Sequence, residues 1–290
     1  MGENDILHDI IGSIEQLPPI SEVAVKILDL AHDPDVGAED IAELTRYDQS
    51  ITANCLKLCN SSYFGLRDKV RSIQHAVVLL GIDNLIRIVI SQCLGARVFS
   101  KELKGYQMST DELWRHSVCS AIISQLLALK TDFQKKHELY TAALLHDVGK
   151  MIIDHFIADN FEAMYALMRE ENFGQLAAEK AYFGIDHAEV GGMITESWKF
   201  PPSLSNAIRN HHSIEFKTAE IDLQSLTALS NVLFYVVPEN LPAGLPDGVT
   251  WQIDEGILSC FGLTRNDIET IMEQFRSEMK RAQAFLNMSL

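Results

Sequence analysis

The sequence predicts an all-α protein built as a bundle of many helices, and three observations support this fold class. Apolar residues recur three and four positions apart along most of the chain, as in Ile10, Ile14 and Leu17, which is the spacing of one helix face. Residues that typically begin or end helices flank these segments. The strict alternation of apolar and polar residues that marks a half-buried strand is scarce, although valine and isoleucine are frequent.

Short helices separated by breaking residues are predicted in the N-terminal part of the chain. Pro18-Pro19 ends the first helix, and Asp33-Pro34-Asp35 has the composition of a turn. Ser72 is predicted to cap a helix that ends at Gly81, and Asp83 to cap the helix that follows.

A boundary is predicted near Lys104-Gly105-Tyr106, followed by a longer series of helices. Ser109 and Glu112 have the spacing of a capping box, and the helix that they open extends to about Lys130. Further helices are predicted at 137–153, 159–171, 175–183, 187–198, 202–212 and 222–236.

The C-terminal part begins with a segment rich in proline and glycine, 238–248, which predicts a linker or a long turn. Apolar residues at helical spacing, among them Ile268, Ile271 and Phe275, predict a long amphipathic helix after it. We therefore divide the chain into three segments: an N-terminal helical subdomain (1–105), a second helical subdomain (106–237), and a linker with C-terminal amphipathic helices (238–290).

The charge balance limits the classes of partner. Among 290 residues, 24 are Lys or Arg and 40 are Asp or Glu, so the formal net charge is −16. Repulsion at long range argues against nucleic acid or an anionic membrane as the main partner. A small phosphate-containing ligand remains compatible, because a bound metal ion can invert the local field. The chain shows no secretory signal and no apolar run long enough to span a membrane, so we expect a cytoplasmic protein.

One histidine–aspartate pair has an unusual context. His146-Asp147 lies in the segment 142–153, where four apolar residues precede the pair and three more follow Lys150. We expect this segment to form a mostly buried helix. Because a buried charge without a partner costs several kcal/mol, these side chains need partners or a metal ion.

Other histidines lie in similar segments, and together they form a set of candidate metal ligands. Imidazole nitrogens combined with carboxylate oxygens suit iron, zinc, manganese or nickel better than calcium. An aspartate can bridge two ions through its two oxygens. Each histidine alone also fits an ordinary place in the core or on the surface, and spacing does not decide between these readings. The candidate ligands are His116, His146, Asp147, His187, His211 and His212.

The N-terminal motifs resemble those of the HDOD family, bacterial signalling modules related to HD-domain phosphohydrolases. The residues that carry the resemblance are Leu17-Pro18-Pro19, Asp33-Pro34-Asp35, Leu58 with Asn60-Ser61, Tyr63-Phe64-Gly65-Leu66, Val70 with Ser72-Ile73, and Leu79-Leu80-Gly81. The resemblance continues as an HD-like part over residues 113–236. Its motifs are Leu113-Trp114-Arg115-His116, Leu144 to Lys150, Phe183 to Gly191, and Ala207-Ile208-Arg209 with His211-His212. It implies N-terminal HDOD helices packed on an HD-like helical bundle.

The related HD-GYP phosphodiesterases cleave cyclic di-GMP at a centre of two or three metals, and the resemblance implies a role for each matching residue. His116 matches the first histidine ligand, and Asp147 matches the bridging carboxylate that follows His146. Lys150 matches a lysine near the phosphate. The histidines that match the second-metal ligands are His187, His211 and His212.

Two departures from the enzymes argue against catalysis. Asn231 stands where the enzymes carry an aspartate ligand, and a neutral amide is the poorer ligand. The Gly-Tyr-Pro signature that should follow the paired histidines is replaced by Ser213-Ile214-Glu215. Both departures weaken the case for a complete phosphodiesterase centre.

Three hypotheses remain open. The favoured one is a bacterial signal-transduction module that retains one or two transition-metal ions (Fe, Mn, Zn or Ni) with little or no hydrolysis. The alternative is a metal-dependent phosphohydrolase acting on a nucleotide or cyclic dinucleotide, in which Asp147 and Lys150 are the catalytic residues. In the third, the histidines only bond one another. Expected partners are signalling proteins or a small phosphate-containing ligand, and a homodimer is compatible with the C-terminal helix.

Overall fold

The computed structural model of the chain describes residues 3–17, 22–30, 36–46, 49–60, 64, 66, 69–98, 103–170, 174–213, 220–236 and 253–286. These residues form helices and, besides them, only an isolated β-bridge between Leu103 and Met108. The predicted all-α class is therefore confirmed. The helices are α1 (Glu3–Glu15), α2 (Glu22–Leu30), α3 (Ala38–Arg46), α4 (Gln49–Cys59), α5 (Ile73–Leu80), α6 (Ile82–Val98), α7 (Thr110–Lys130), α8 (Lys136–Leu145), α9 (Lys150–Asp159), α10 (Phe161–Glu170), α11 (Gln175–Phe183), α12 (His187–Ser197), α13 (Pro202–Arg209), α14 (Leu223–Phe234), α15 (Glu255–Cys260) and α16 (Arg265–Leu286).

Helices α2 to α6 pack against one another and form the N-terminal group. Their shared interior includes Ile27, Ile41 and Ile73, together with the buried side chains of Cys55 and Cys59, which behave as small apolar residues. Helix α6 also contacts α8, which joins this group to the rest of the chain. The predicted turn at Asp33-Pro34-Asp35 lies outside the described residues.

The predicted ends of α5 are confirmed. The Ser72 hydroxyl accepts a hydrogen bond of 3.1 Å from the backbone N–H of His75, which satisfies one of the free donors at the helix start. Gly81 ends the helix with a φ of 81°, a left-handed conformation that favours glycine.

The prediction that Asp83 caps α6 is wrong, because α6 begins one residue earlier, at Ile82. The Asp83 carboxylate binds Lys136 and His137 of α8 instead. These two partners lie more than fifty residues away in the sequence, so the local pattern around Asp83 could not predict them.

Helix α7 is the centre of the second group of helices, with α8, α14 and α16 packed around it. Helix α13 packs against α8, α12 and α14, and α12 also contacts α9. The predicted capping box is confirmed, since Ser109 and Glu112 each bond the other's backbone N–H. Equivalent boxes at Asp186 and Asp222 fix the starts of α12 and α14.

The two ends of the described chain both pack on this second group. Helix α1 contacts α9, α11 and α12, although its residues belong to the predicted N-terminal segment. Helix α16 confirms the predicted amphipathic helix and buries Ile271 and Phe275. The boundaries at 105 and 237 stay a prediction, and the proposed linker at 238–248 lies outside the described residues. None of the described helices has the length and apolar content needed to cross a membrane.

Candidate metal centre

Four separate parts of the second group supply the six candidate ligands. His116 lies on α7, near its start. His146 and Asp147 lie in the turn that joins α8 to α9, and His187 is the first residue of α12. The last two lie in the turn after α13: they are His211 and His212.

The helix predicted over 137–153 is interrupted, which corrects the sequence-based prediction. Helix α8 ends at Leu145, the next four residues form turns, and α9 begins at Lys150. In this turn the backbone bonds three residues back, from Val148 to Leu145 and from Lys150 to Asp147. Such tight winding changes the direction of the chain at the histidine–aspartate pair.

The helix predicted over 202–212 also ends early, at Arg209. Asn210 is its C-cap, so His211 and His212 project from the following turn rather than from the last helical turn. Two adjacent histidines on a helix would point about 100° apart. In the turn their rings lie side by side, with centroids 4.0 Å apart.

The Asp147 carboxylate lies between two groups of imidazole nitrogens. Its Oδ2 is 3.3 Å from Nε2 of His116 and 3.4 Å from Nε2 of His146. Its Oδ1 is 3.3 Å from Nε2 of His187 and 3.8 Å from Nε2 of His211. The two oxygens thus serve different sides of the cluster, as a bridging carboxylate does.

Within each group the candidate ligand atoms lie within 4.8 Å of one another, close enough to surround one ion. The first group is His116, His146 and Asp147, and all three are buried. The second group is Asp147, His187, His211 and His212, in which His212 is exposed. We call these six residues the histidine cluster; its second group is the side that opens to solvent.

Two of the five rings are held so that Nε2 carries the free lone pair. Nδ1 of His146 donates to the backbone oxygen of Ala143 at 2.7 Å, and Nδ1 of His211 donates to that of Ile208 at 2.7 Å. Since a neutral imidazole carries one proton, its Nε2 is then an acceptor. The Nε2 atoms point toward Asp147, which is the orientation that a metal ligand needs.

Three buried atoms of the cluster have no hydrogen-bond partner among the described residues: Nδ1 of His116, Oδ1 of Asp147 and Nε2 of His211. The last two face each other across 3.8 Å. An unsatisfied buried polar atom is costly. A cation placed between two acceptors that face each other would give both of them a partner. The donor set therefore fits a metal ion.

Lys150, the first residue of α9, is buried beside the cluster. Its Nζ donates to Oδ2 of Asp147 at 2.7 Å and lies 5.7 Å from the centre of the Tyr106 ring. Burial acts to lower the pKa of Lys150, but the charge of Asp147 outweighs it and the pKa is raised. The ammonium therefore stays charged and neutralises the buried carboxylate.

Asn231 lies on α14, whose C-terminal end reaches the cluster. The His116 ring packs edge to face on Phe234, with centroids 4.4 Å apart. Asn231 is buried, and none of the described residues forms a hydrogen bond with its Oδ1.

A comparison with known protein families matches residues 17–214 to the HDOD domain. The chain belongs to the HDOD domain family. The match covers well over half of the chain and contains every member of the histidine cluster, whereas Asn231 lies beyond its end.

Solved structures share the fold of this HDOD chain. An HDOD domain protein of unknown function from Geobacter sulfurreducens is 25% identical with a TM-score of 0.74, covering 99% of this chain and 97% of that one. A candidate phosphohydrolase from Shewanella amazonensis is 23% identical with a TM-score of 0.69, covering 97% and 98%. An uncharacterised Treponema pallidum protein is 24% identical over 272 residues, and the HDOD chain spans about half of its length (51%).

Sequence reasoning missed Glu179, a fully buried carboxylate on α11. Its Oε2 accepts a hydrogen bond from Nδ1 of His187 at 2.7 Å, and its Oε1 accepts one from the Tyr106 hydroxyl at 2.8 Å. A signal existed: Glu179 lies four residues before the buried Phe183, on the same helix face. An acidic residue on an apolar face marks a buried partner elsewhere.

Burial and neighbouring charges set the protonation of the cluster. Burial lowers the pKa of His116 to about 4. His212 is exposed on one side but packs against His187 and His211 on the other, and this partial loss of solvent together with the charge of His187 lowers its pKa to about 3. His187 behaves differently: burial acts to lower its pKa, but Glu179 and Asp147 outweigh it and raise the pKa to about 9. The pKa of Asp147 is held well below its usual range because Lys150 and the histidines outweigh its burial.

These pKa values predict a stability maximum for the metal-free HDOD protein near pH 6.5. Below that pH, His116 and His212 bind protons in the unfolded chain but remain neutral in the folded protein. The free energy of unfolding therefore falls as the pH drops toward 4. His187 contributes stability that is fully present below 6.5 and is lost as the pH rises toward 9. Urea denaturation in EDTA across this range measures the profile.

The control for this profile is His116→Gln, which removes one group of lowered pKa. We expect a shallower loss of stability on the acid side and an unchanged alkaline side. Equal acid slopes in the two proteins would contradict a folded state that keeps His116 neutral.

Proposed function

We propose that this HDOD protein is a signal-transduction module that holds one or two transition-metal ions in the histidine cluster and has little or no hydrolytic activity. The observation that carries this proposal is the placement of Asp147, whose two oxygens face two separate groups of imidazole nitrogens. A carboxylate in that position can be shared by two ions. The acidic surface, with a net charge of −16, favours protein partners or a small metal-associated phosphate over nucleic acid.

The chemistry of the donors supports a transition metal. One ion would be held by His116, His146 and Asp147. The other would be held by Asp147 with the histidines of the second group. Nitrogen-rich sets of this kind suit Fe, Mn, Zn or Ni, whereas calcium and magnesium require mostly oxygen ligands. Such ions act as Lewis acids on a phosphoryl oxygen when they are bound.

Three features support weak or absent hydrolysis. Asp147 is the only carboxylate in either candidate group of the described residues, so the site offers little negative charge to hold two divalent ions. The Lys150 ammonium is buried and bound to Asp147, so part of its charge is already neutralised before it can act on a phosphate. Asn231, where related enzymes carry an aspartate, points in the same direction.

The second candidate function is a metal-dependent phosphohydrolase acting on a nucleotide or cyclic dinucleotide. It is favoured by the exposure of His212, which gives the second group of ligands an opening toward solvent. A similar structure from Shewanella amazonensis is described as a candidate metal-dependent phosphohydrolase, although at 18% identity it shares only the fold. In this function Lys150 would stabilise negative charge on the phosphate.

The metal content of the purified protein tests both candidates. We expect on the order of one or two transition-metal ions per chain by elemental analysis after growth in metal-replete medium, as in other mono- and dinuclear sites. His146→Ala should lose metal because it removes a buried ligand nitrogen. His155→Ala is the matched control, since that histidine is 77% exposed and belongs to neither candidate group of ligands. A wild-type protein without metal contradicts both candidates.

A turnover assay separates the two candidates. The metal-loaded protein is incubated with nucleotides and cyclic dinucleotides, beside Asp147→Asn, which keeps the shape of the side chain and removes its charge. The signalling proposal predicts no difference between wild type and variant. Robust turnover that is lost in Asp147→Asn would favour the phosphohydrolase.

A further inference from the structure

We propose that Glu179 is a positioning residue that fixes the ring orientation of His187 and holds a proton on its Nδ1, and that Tyr106 holds Glu179 in place. The inference deepens the proposed function, because it assigns a support to the second metal position only. Among the described residues of the cluster, His187 is the histidine that forms hydrogen bonds with Glu179.

The contacts of Glu179 with His187 are specific. Its Oε2 accepts two hydrogen bonds from the same residue, one from the backbone N–H at 2.8 Å and one from Nδ1 at 2.7 Å. The first bond fixes the start of α12 and the second fixes the ring. With the proton on Nδ1, the Nε2 atom of His187 faces Oδ1 of Asp147 at 3.3 Å and Nε2 of His212 at 3.1 Å.

Within the described residues, His116, His146 and His211 lack this kind of support. Nδ1 of His146 and Nδ1 of His211 donate to neutral backbone oxygens. Nδ1 of His116 is buried and has no hydrogen-bond partner. A carboxylate behind a histidine makes its other nitrogen a stronger ligand and fixes its direction. The second metal position is therefore supported by a charge that the first position lacks.

Tyr106 fixes the remaining oxygen of Glu179. Its hydroxyl donates to Oε1 at 2.8 Å, and its backbone N–H donates to Asp154 of α9 at 3.0 Å. The neighbouring Gly105 fits so closely against α9 that a Cβ atom there would overlap the backbone oxygen of Asp154. The turn at 103–108 is thus anchored, and the Tyr106 hydroxyl is held where Glu179 needs it.

Burial explains why this arrangement needs all of its parts. An isolated buried carboxylate is strongly disfavoured, and the three hydrogen bonds to Glu179 offset that cost. Glutamine has the same shape as glutamate and can accept from His187 while donating to the Tyr106 oxygen. Glu179→Gln therefore removes the charge and preserves the packing, whereas Glu179→Ala removes both.

Zinc titration of the metal-free protein tests the effect on the second position. We expect Glu179→Gln to weaken the second zinc ion by about 10- to 100-fold while the first binds as in wild type. Tyr106→Phe should give a smaller loss in the same direction. Glu138→Gln is the matched control, because Glu138 is a buried glutamate on α8 that binds Ser203 and Lys135 instead of a candidate ligand. Equal weakening of both ions, or of neither, would overturn the inference.

Proton NMR of the metal-free protein tests the orientation of His187 without any metal. The wild-type protein should show a downfield Nδ1 proton of His187, assigned by its absence in His187→Gln. The signal should move upfield in Glu179→Gln and remain in Glu138→Gln. An unchanged signal in Glu179→Gln would overturn the inference. If the signal behaves as expected in a protein that takes up no zinc, the metal-binding proposal fails and the positioning of His187 stands.

Discussion

Replacing Asp147 by alanine should remove both metal positions and destabilise the metal-free protein by about 3–5 kcal/mol. The metal loss follows because Asp147 is the residue shared by the two candidate groups of ligands. The destabilisation has a separate cause. Lys150 donates to Asp147 at 2.7 Å and is buried, so the variant leaves an ammonium charge in the interior without its partner.

A double variant separates the two effects of this substitution. Asp147→Ala combined with Lys150→Met removes both members of the ion pair, and it should recover much of the lost stability while still binding no metal. Urea denaturation in EDTA measures stability, and elemental analysis measures metal. Asp159→Ala is the control, because that carboxylate is 68% exposed and should change stability by no more than about 0.5 kcal/mol.

Two results would contradict this account. If Asp147→Ala is as stable as wild type in EDTA, the Lys150 ammonium does not remain buried without a partner in the variant. If it retains the wild-type metal content, the ions bind outside the histidine cluster. The two outcomes are independent, since one reports on the ion pair and the other on the ligands.

The helices could be predicted from the sequence because their signals are local. Ser72 and Ser109 cap helices in the structure as their neighbours in sequence indicate. Asp83 shows the limit of such signals. Its spacing suits a cap, but two basic side chains of α8 bind it across the bundle, and no local pattern contains that information.

The site was predictable in its residue types and not in its geometry. Histidines in apolar segments, together with the family resemblance, gave the set of candidate ligands, and the structure brings these residues together. The interruption of the helix between Leu145 and Lys150 could not be predicted, because the apolar spacing continues through it. Glu179 was missed for a related reason: its partners, His187 and Tyr106, meet it only after three elements have packed.

Gly149 shows how closely α12 approaches the turn between α8 and α9. Its φ of −63° is open to any residue, so glycine is required there by space and not by conformation. A Cβ atom on Gly149 would overlap the backbone oxygen of His187 and lie 2.7 Å from the backbone nitrogen of Gly191. Helix α12 therefore approaches the turn more closely than any side chain allows, and this approach brings His187 to Asp147.

Gly149→Ala should consequently destabilise the protein by about 3 kcal/mol or more, at or beyond the upper end of ordinary overpacking, because both contacts are with backbone atoms that cannot rotate away. Urea denaturation measures the loss. Gly12→Ala is the matched control: Gly12 lies within α1 with nothing inside 4 Å of an added Cβ, so alanine there should stabilise by about 0.5–1 kcal/mol.

The metal site gives Gly149→Ala a second readout. Any separation of α12 from the turn moves His187 away from Asp147, whereas His116 and His146 keep their places on the opposite side of the carboxylate. Under conditions where the variant stays folded, zinc titration should show the second ion weakened and the first retained. A variant with the stability and zinc binding of Gly12→Ala would mean that α12 can yield without cost, and the close approach would then not be what sets the geometry of the cluster.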